Sequence, residues 1–459
     1  MSRKEEKEFI LRIESLAVGG EGLGRKDGLV VFVSGTAPGD LVKVKPYKRK
    51  KGYLKAKVTE ILEPSQERIQ PTCKYYGVCG GCQWLHLNYD SQLKYKVSHI
   101  RETLKGIGGI AQIPLDEIIA SPKTLRYRNK MEFTFAPHNE DWCILGLHKK
   151  ESYWQIIDIE DCLLMPDLGS KILSVTKDIT RKYRLIPYHI KAHVGLIRFL
   201  MLRYSFSMNN WLVNVITSKE AKEANYFGKV LSELPSVETV VNNINPNLAA
   251  TAIGEHEILL YGKGMINEKI GNYTFEIMPN SFFQVNSLCT GRLYAEIEKN
   301  CSLDGSEEII DAYCGIGTIG IYLSSKVKHV IGIDVSEANV YAAKRNIDIN
   351  KISNMEIILG KSEDVLKNVL RSHSLLIVDP PRSGLHKNVI KTVLEIKPRK
   401  LVYVSCNPAT LARDIGILAQ SYQLTRIQPI DMFPQTAHIE AVATLDRRHS
   451  QTKVFKIFS

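Results

Sequence analysis

Residues 307–334, EEIIDAYCGIGTIGIYLSSKVKHVIGID, are the strongest indication of the fold of this chain. The first apolar run is typical of a buried strand, and a G-x-G-x-x-G at Gly315, Gly317 and Gly320 then opens a helix. Glycines there allow a tight turn and let a ligand approach the helix N-terminus. A second strand ends in Asp334, whose carboxylate can bind the two hydroxyls of a ribose. The unit predicts a site for an adenosine-type cofactor and leaves NAD, FAD and S-adenosyl-L-methionine open.

Seven strand-like runs, most of them separated by helical patterns, fill about residues 271–459. In order they are EEIIDAY, KHVIGID, MEIILG, LLIVD, KLVYVSC, YQLTRIQPID and HIEAVATL. The alternation predicts a doubly wound, mainly parallel α/β sheet whose ligands lie beyond the carboxyl ends of the strands. A closely spaced final pair of strands is typical of the class I (Rossmann-like) methyltransferases.

Polar side chains follow several of these strands at the edge where the ligand is expected. Asp311 and Tyr313 follow the first strand, Asp334 ends the second, Asp379 follows the fourth and Cys406 follows the fifth. An Asp-Pro-Pro and a reactive type of side chain at this edge favour a cofactor without phosphates, such as S-adenosyl-L-methionine.

The Asp379-Pro-Pro-Arg382 turn and Cys406 point to methyl transfer to carbon. Two prolines fix an extended turn and leave the carboxylate at the strand end, and Arg382 stands where amino-methylating enzymes usually carry an aromatic residue. Carbon 5 of uracil is a poor nucleophile, but a thiolate added to carbon 6 makes it reactive. Cys406 suits this step if its pKa is lowered or a base assists it, and a helix starting near Pro408 could help. A buried structural Cys406 and a nucleophilic Cys314 are the alternatives.

A general base must then remove the proton from carbon 5, and His438-Ile439-Glu440 opens the last strand. Residues two apart in a strand share a face, so His438 could orient Glu440. We expect Glu440 to be the base because a carboxylate is ionised at neutral pH without assistance. The alternative is that Glu440 is a carboxylate at a strand edge with no catalytic role.

The N-terminal module, about residues 1–63, alternates short apolar and polar bursts between glycine turns, which predicts an OB-like β-barrel of roughly five strands. Residues 45–57, KPYKRKKGYLKAK, contain seven basic residues and no acidic one, with Tyr47 and Tyr53 between them. The run is either a solvated loop or a surface on which lysines meet phosphates and rings stack on bases. The module resembles a TRAM domain, an RNA-binding barrel of RNA-modifying enzymes.

Cys73, Cys79 and Cys82 form a C-x5-C-x2-C with glycines between them. A fourth thiolate would complete a metal-binding set, and Cys162 is the best candidate because Cys143 lies in an apolar, core-like run. An iron–sulfur cluster, a structural zinc and unligated thiols remain open.

The middle of the chain, about residues 64–270, reads as an α/β insert that carries the fourth cysteine. Residues 91–107 predict an amphipathic helix. Arg126, Arg128 and Lys130 alternate in a strand-like run, which predicts a shared polar or phosphate-contacting face. We therefore expect three domains, at residues 1–63, 64–270 and 271–459.

Length and charge agree with this division. A chain of 459 residues suits two or three domains, and a formal net charge of +12 is a weak indication of a polyanionic partner. No run of 18 apolar residues suggests a membrane span, and the start MSRKEEKEF lacks the apolar core of a signal peptide. We expect a cytoplasmic protein with no membrane contact, and a monomer. Nine cysteines in such a chain favour metal ligation or catalysis over disulfides.

Taken together, several motifs resemble the RNA uracil-C5 methyltransferases. They are DAYCGIGTIG, DPPRSGL, SCNPATLARD, HIEAVATL and PNSFFQVN at 279–286. The cysteine spacing and the barrel are similar to the iron–sulfur, TRAM-bearing branch of that family, and the resemblance covers essentially the whole chain.

The resemblance implies particular site residues. It implies Cys406 as nucleophile and Glu440 as base. S-adenosyl-L-methionine contacts are implied at Gln284, Tyr313, Asp334 and Asp379. It also implies a [4Fe–4S] cluster, with a structural or RNA-folding role, bound by Cys73, Cys79, Cys82 and Cys162. Asp334 stands where many relatives carry the longer Glu.

The expected activity is S-adenosyl-L-methionine-dependent formation of 5-methyluridine in RNA. Cluster-bearing bacterial relatives act on 23S ribosomal RNA and some archaeal ones on transfer RNA, and we expect the former. A radical S-adenosylmethionine enzyme would need a C-x3-C-x2-C, which the sequence lacks. A non-catalytic RNA-binding protein is the third alternative, against which the presence of Cys406 and Glu440 speaks.

Overall fold

A computed structural model describes residues 7–138, 141–249 and 251–448. The chain forms two compact units, each assembled from separate stretches. The first comprises Met1–His99, Ala120–Gly291 and Asp431–His438, and the second comprises Ile100–Ile119, Arg292–Ile430 and Ile439–Ser459. The three-domain division with boundaries at residues 63 and 270 stays a prediction.

The N-terminal module in the first unit is a six-stranded sheet, one strand more than the sequence predicted. Its strands are β1 (Phe9–Arg12), β2 (Ser15–Leu16), β3 (Gly22–Lys26), β4 (Leu29–Val33), β5 (Leu41–Lys50) and β6 (Tyr53–Glu63). They pair in the order β1-β5-β6-β4-β3-β2. Alternate residues of β4 and β5, such as Val31, Val33, Val42 and Val44, are fully buried in a small core. This is the period of two that a half-buried strand requires.

A seven-stranded mixed sheet forms the centre of the first unit. Its strands are β7 (Lys130–His138), β8 (Trp142–His148), β9 (Ile156–Asp158), β10 (Ile197–Ser205), β11 (Asn210–Thr217), β12 (Val237–Ile244) and β13 (His256–Tyr261). Their order is β13-β12-β11-β10-β7-β8-β9, and a hairpin of β14 (Ile266–Ile270) and β15 (Tyr273–Ile277) follows. The helices of this part of the chain are α1 (Tyr89–Gly106), α2 (Leu168–Lys182) and α3 (Asn225–Leu231). The first of them confirms the helix expected over residues 91–107.

The second unit contains the seven strands expected from the sequence. They are β16 (Glu308–Ala312), β17 (His329–Asp334), β18 (Met355–Leu359), β19 (Leu375–Val378), β20 (Lys400–Ser405), β21 (Tyr422–Ile430) and β22 (Glu440–Arg447). Helices α4 (Ser287–Cys301), α5 (Thr318–Leu323), α6 (Glu337–Ile349), α7 (Ser362–Val369), α8 (Lys387–Ile396) and α9 (Pro408–Leu418) accompany them. The strand order is β18-β17-β16-β19-β20-β22-β21.

This sheet is parallel from β16 to β20, whereas β22 runs antiparallel to both β20 and β21. That order, with one reversed strand inserted next to the last, confirms the class I methyltransferase fold. The central strands are apolar throughout, as expected when helices cover both faces of a parallel sheet. The loops after β16, β17, β19 and β20 therefore meet at one edge of the sheet, where its ligands bind. In the described residues no helix combines the length and apolarity that crossing a membrane requires.

Candidate active site and cysteine-lined cavity

The loop between β16 and α5 has the backbone conformation that its glycines allow. Gly315 and Gly317 have φ values of 56° and 81°, and even Tyr313 lies in the left-handed region with a φ of 66°. Gly320 is required for a different reason: a Cβ there would lie 2.5 Å from the Met355 Cε. The first two glycines shape the turn, and the third allows close packing of the helix, as the motif predicts.

Three carboxylates surround this loop. Asp311 is fully buried, and its Oδ2 accepts a hydrogen bond from the Gly320 N–H at 3.0 Å. Burial, together with the charges of Asp379 and Asp334, raises the pKa of Asp311 to about 7. The pKa of Asp379 is also raised to about 7 by its burial. A cofactor that carries positive charge would relieve this repulsion.

Asp334 joins the end of β17 to the glycine loop. Its Oδ2 accepts a hydrogen bond from the Gly315 N–H at 2.9 Å. Its Oδ1 accepts bonds from the Ser336 N–H at 2.9 Å and from the Asn339 Nδ2 at 3.1 Å. A carboxylate has about four acceptor positions, so these bonds orient the group and leave capacity for hydroxyls.

Cys406 and Glu440 are brought together by the pairing of β20 with β22. Ser405 lies opposite Ala441, the last pair of the register. The next residue of each chain segment, Cys406 and Glu440, therefore lies on the opposite face from that pair. Glu440 is buried, and its Oε1 has no hydrogen-bond partner among the described residues. Cys406 is partly exposed. The register of this strand pair could not be predicted from the sequence pattern.

The electrostatics of this pair differ from the expectation. Burial, together with the charges of Glu440 and Asp379, raises the pKa of Cys406 to about 11. Burial also holds the pKa of Glu440 well above its ordinary value, with Asp379 adding to the effect. Burial therefore disfavours the ionised Glu440 that the sequence predicts, because a strand end inside the fold is shielded from water, and the role of Glu440 as base stays a prediction.

Arg382 counteracts these effects and is a site residue that the sequence reasoning missed. Its charge and its hydrogen bond to the thiol both lower the pKa of Cys406. The Arg382 carbonyl accepts a bond from the Asn407 Nδ2 at 2.8 Å, and Asn407 caps the N-terminus of α9. The sequence signal for this role is the position of Arg382 directly after Asp-Pro-Pro, where amino-methylating enzymes usually carry an aromatic residue.

The remaining candidates have different surroundings. Cys314 is buried against β17, where a Cβ added at Gly332 would lie 3.0 Å from its Sγ. Burial raises the pKa of Cys314 well above its usual value, which disfavours it as nucleophile. Gln284 lies in the first unit, where its carbonyl accepts a bond from the Asn129 Nδ2 at 2.7 Å. His438 also belongs to the first unit.

The four candidate metal ligands of the first unit line one cavity of about 370 Å³. Cys73, Cys79, Cys82 and Cys162 all contribute to its wall, together with Arg128, whereas Cys143 is buried in β8 and does not. Burial, together with the charges of the neighbouring thiols, raises the pKa of Cys82 to about 12 and that of Cys162 to about 11. Within the described ranges, no three His, Cys, Asp or Glu side chains lie close enough to hold a single metal ion.

Arg126 fixes the loop that carries Cys162. Its guanidinium donates to both carboxylate oxygens of Asp161, at 2.8 and 2.7 Å, and to the carbonyl oxygens of Cys162 and Met165. Arg126 has a φ of 55° and precedes β7, which begins only at Lys130. The prediction of one strand face shared with Arg128 and Lys130 is wrong, because the left-handed residue interrupts the extended chain.

The fold and the polar edge of the second unit define a class I methyltransferase. The family model described as tRNA (Uracil-5-)-methyltransferase matches residues 88–448, and a TRAM domain model matches residues 3–59. The chain therefore belongs to the tRNA (Uracil-5-)-methyltransferase family, with an N-terminal TRAM domain. It is an S-adenosyl-L-methionine-dependent RNA methyltransferase.

Relatives and a solved structure agree with this family. An uncharacterized RNA methyltransferase of Listeria innocua is 37% identical over 97% of this chain and 99% of its own length. One of Chlorobaculum tepidum is 36% identical, with 92% of each chain covered. The crystal structure of Pyrococcus abyssi tRNA (uracil-54, C5)-methyltransferase in complex with S-adenosyl-L-homocysteine matches with a TM-score of 0.76 and 29% identity, covering 95% of this chain and 100% of that one.

Proposed function

We propose that this protein transfers a methyl group to carbon 5 of a uridine in RNA through a covalent bond between Cys406 and carbon 6 of the base. The observation that carries the proposal is the placement of Cys406 beside Glu440 at the ends of two paired strands, where the charge of Asp379 acts on both groups. A nucleophile and a base at one site are what carbon methylation of a uracil ring requires.

The side chains divide the reaction between them. The Cys406 thiolate, which Arg382 stabilises, adds to carbon 6 and makes carbon 5 nucleophilic. S-adenosyl-L-methionine supplies the methyl group to carbon 5. The Glu440 carboxylate accepts the carbon 5 proton through its unpartnered Oε1, and the thiolate then leaves as the ring double bond forms again. One proton is released overall, so Glu440 must lose a proton in each cycle.

We propose that Tyr313, Asp334, Asp379 and Gln284 contact the cofactor. The raised pKa values of the buried Asp311 and Asp379 support a positively charged ligand beside the glycine loop, because such a charge favours their ionised forms. The oriented carboxylate of Asp334 supports binding of the ribose. Gln284 is assigned from the resemblance of PNSFFQVN alone.

The RNA proposed is 23S ribosomal RNA. This choice rests on the resemblance to the cluster-bearing bacterial branch of the family, whereas the solved Pyrococcus abyssi structure is that of a tRNA (uracil-54, C5)-methyltransferase and is 29% identical. Transfer RNA is the second candidate, because that neighbour covers 95% of the chain. Mass spectrometry of nucleosides from separated ribosomal and transfer RNA of a deletion strain tests this. Loss of 5-methyluridine from 23S RNA supports the first, and loss from transfer RNA alone supports the second.

We propose further that Cys73, Cys79, Cys82 and Cys162 bind a [4Fe–4S] cluster. Four thiols around one cavity support a polynuclear group, whose cysteines bind different iron atoms and lie farther apart than the ligands of one zinc. The raised thiol pKa values fit as well, since metal binding is what favours thiolates in such surroundings.

Two hydrogen bonds support a structural role for the cluster. The Gly80 N–H donates to the His148 carbonyl at 3.0 Å, and the Lys150 N–H donates to the Val78 carbonyl at 2.8 Å. These bonds tie the cysteine loop to the end of β8. A cluster that orders the loop would therefore order this edge of the central sheet.

A further inference from the structure

A groove of about 870 Å³ lies on the first unit, well separated in sequence from the catalytic motifs. We call it the aromatic groove, and define it by Lys149, Tyr153, Trp154, Tyr188 and Lys191. Its walls are completed by β7, by the end of β8 and by the start of β9. Neither the barrel nor the cofactor loop contributes to it.

The aromatic side chains of this groove are arranged so that the flat rings of a ligand can stack on them. Tyr153 stacks on His148, with ring centroids 5.4 Å apart and planes within 13°. Trp154 meets Tyr153 edge-on at 5.2 Å. Tyr153 is 55% exposed and Trp154 is 53% exposed. Large rings that remain this open are uncommon on a surface that binds nothing, because burying them is favourable.

The charges along the groove have one sign. The Lys191 ammonium lies 5.2 Å from the centroid of the Trp154 ring, and Lys149 is exposed at the rim. Arg198 lies beneath, 4.4 Å from the centroid of the Tyr188 ring, and is held by the carbonyls of Asn245 and Asn247. Of the described residues that line the groove, none is acidic. The groove is therefore complementary to a polyanion that also carries flat rings.

We propose that the aromatic groove binds a single-stranded segment of the substrate RNA outside the catalytic site, with bases stacked on Tyr153 and Trp154 and phosphates near Lys149 and Lys191. This rests on the proposed RNA substrate and adds a second contact to it. Stacking on aromatic rings combined with basic flanks is the usual means of binding single strands without reading their sequence. An acidic protein partner would use the charges but not the free ring faces.

The test is binding of a mixed-sequence 12-nucleotide single-stranded RNA, without cofactor, to the full-length protein and to Tyr153→Ala/Trp154→Ala. Loss of the stacking of one base predicts a dissociation constant raised roughly 5- to 150-fold, and loss of a second stacked base raises it further. The matched control is Tyr261→Ala, an exposed tyrosine on the strand at the other edge of the same sheet. It should bind the RNA as the unaltered protein does. Circular dichroism verifies the fold of each variant.

A second ligand separates stacking from charge. An abasic oligomer with the same sugar–phosphate backbone should bind the double variant and the unaltered protein equally, and Lys191→Ala should weaken both ligands. Equal affinity of the double variant and the unaltered protein for the 12-mer overturns the proposal, as does an equal loss of affinity for the abasic oligomer. Binding of the 12-mer by the unaltered protein no tighter than that of inorganic polyphosphate also overturns the proposal, whereas nucleoside analysis of the deletion strain tests the RNA substrate separately.

Discussion

Cys406 and Glu440 follow directly on the paired residues Ser405 and Ala441, at the adjoining ends of two antiparallel strands. The pairing is possible because β22 inserts in reverse between β20 and β21. It brings a thiol and a carboxyl group, which are 34 residues apart in the sequence, to one edge of the sheet. Their mutual influence is visible in the pKa of Cys406, which the Glu440 charge raises.

The Glu440→Gln variant should accumulate a covalent protein–RNA adduct. Addition of Cys406 and methyl transfer do not need the carboxylate, but release of the product does, because the carbon 5 proton otherwise has no acceptor. Loss of a general base lowers a rate roughly 10²- to 10⁴-fold. Denaturing gel electrophoresis should show a slowly migrating species that carries the methyl group when S-adenosyl-L-methionine is supplied.

The control for this adduct is the nucleophile. Cys406→Ala and the double variant should form no adduct, whereas Cys314→Ala in the Glu440→Gln background should still form it. Normal turnover of Glu440→Gln would show that Glu440 is not the base, and His438 would be tested next.

Activity should rise with pH between about 6 and 9. The thiolate of Cys406 is the reactive form and its pKa is raised to about 11, so the reactive fraction grows about tenfold per pH unit below that value. Deprotonation of Glu440, whose pKa is also raised, acts in the same direction. The measurement is kcat/KM against pH, which reports groups of the free enzyme. A profile that is flat or falls over this range contradicts the assignment.

Replacing Arg382 should move this profile to higher pH. Arg382 lowers the pKa of Cys406 by charge and by a hydrogen bond, so Arg382→Ala loses both and Arg382→Lys loses mainly the geometry. At pH 7.5 the Ala variant should be the slower of the two, and part of its activity should return at pH 9. An equal loss at all pH values would assign Arg382 to structure or RNA binding instead.

The protein purified without oxygen should be brown and contain iron. Cys162→Ala should lose the colour and most of the iron, because the thiol lines the cavity with the other three candidate ligands. Cys143→Ala is the matched control, since Cys143 lies nearby in β8 outside that cavity and should leave the iron in place. A colourless protein with one equivalent of zinc would replace the cluster proposal by a zinc site.

Replacing Lys96 should destabilise the first unit. The Lys96 ammonium donates to the Asp431 Oδ1 at 2.6 Å, and both side chains are fully inaccessible. Among the described residues, Lys96→Met leaves this buried carboxylate with the Tyr89 hydroxyl and the Phe433 N–H as its partners, at an expected loss of about 3–5 kcal/mol. Lys94→Met is the control on the same helix, because its ion pair with Glu67 is solvent-exposed and contributes at most about 1 kcal/mol. Denaturant unfolding measures both, and equal stability would refute the contrast.

The basic end of β5 should contribute salt-dependent RNA affinity. Residues 48–51 are exposed and project from the barrel core. Changing Lys48, Arg49, Lys50 and Lys51 to Ala should flatten the slope of log K against log salt by up to roughly 0.7 per lost phosphate contact, without affecting cofactor affinity. The control changes four exposed lysines elsewhere, Lys344, Lys351, Lys387 and Lys397. An unchanged slope in the barrel variant would mean that this surface does not touch RNA.

The seven strands of the second unit, the glycine loop and the barrel pattern were predictable from the sequence. These are local properties: a strand repeats every two residues, a helix about every 3.6, and glycine is needed where φ is positive. The motif set around Asp379 and Cys406 was equally local, and it identified the family before any distance was known.

The electrostatics of the site, and the proximity of residues that are distant in sequence, depend on the tertiary structure. The pKa values of Cys406 and Glu440 are set by burial and by Asp379, and burial depends on what packs above a residue rather than on its neighbours in sequence. In the same way, the grouping of Cys162 with a loop about 80 residues earlier, and the meeting of Trp154 with Lys191, follow from how segments pair across a sheet. Such pairing is fixed by the whole core at once, because shifting a strand by one residue would reverse every side chain that it presents.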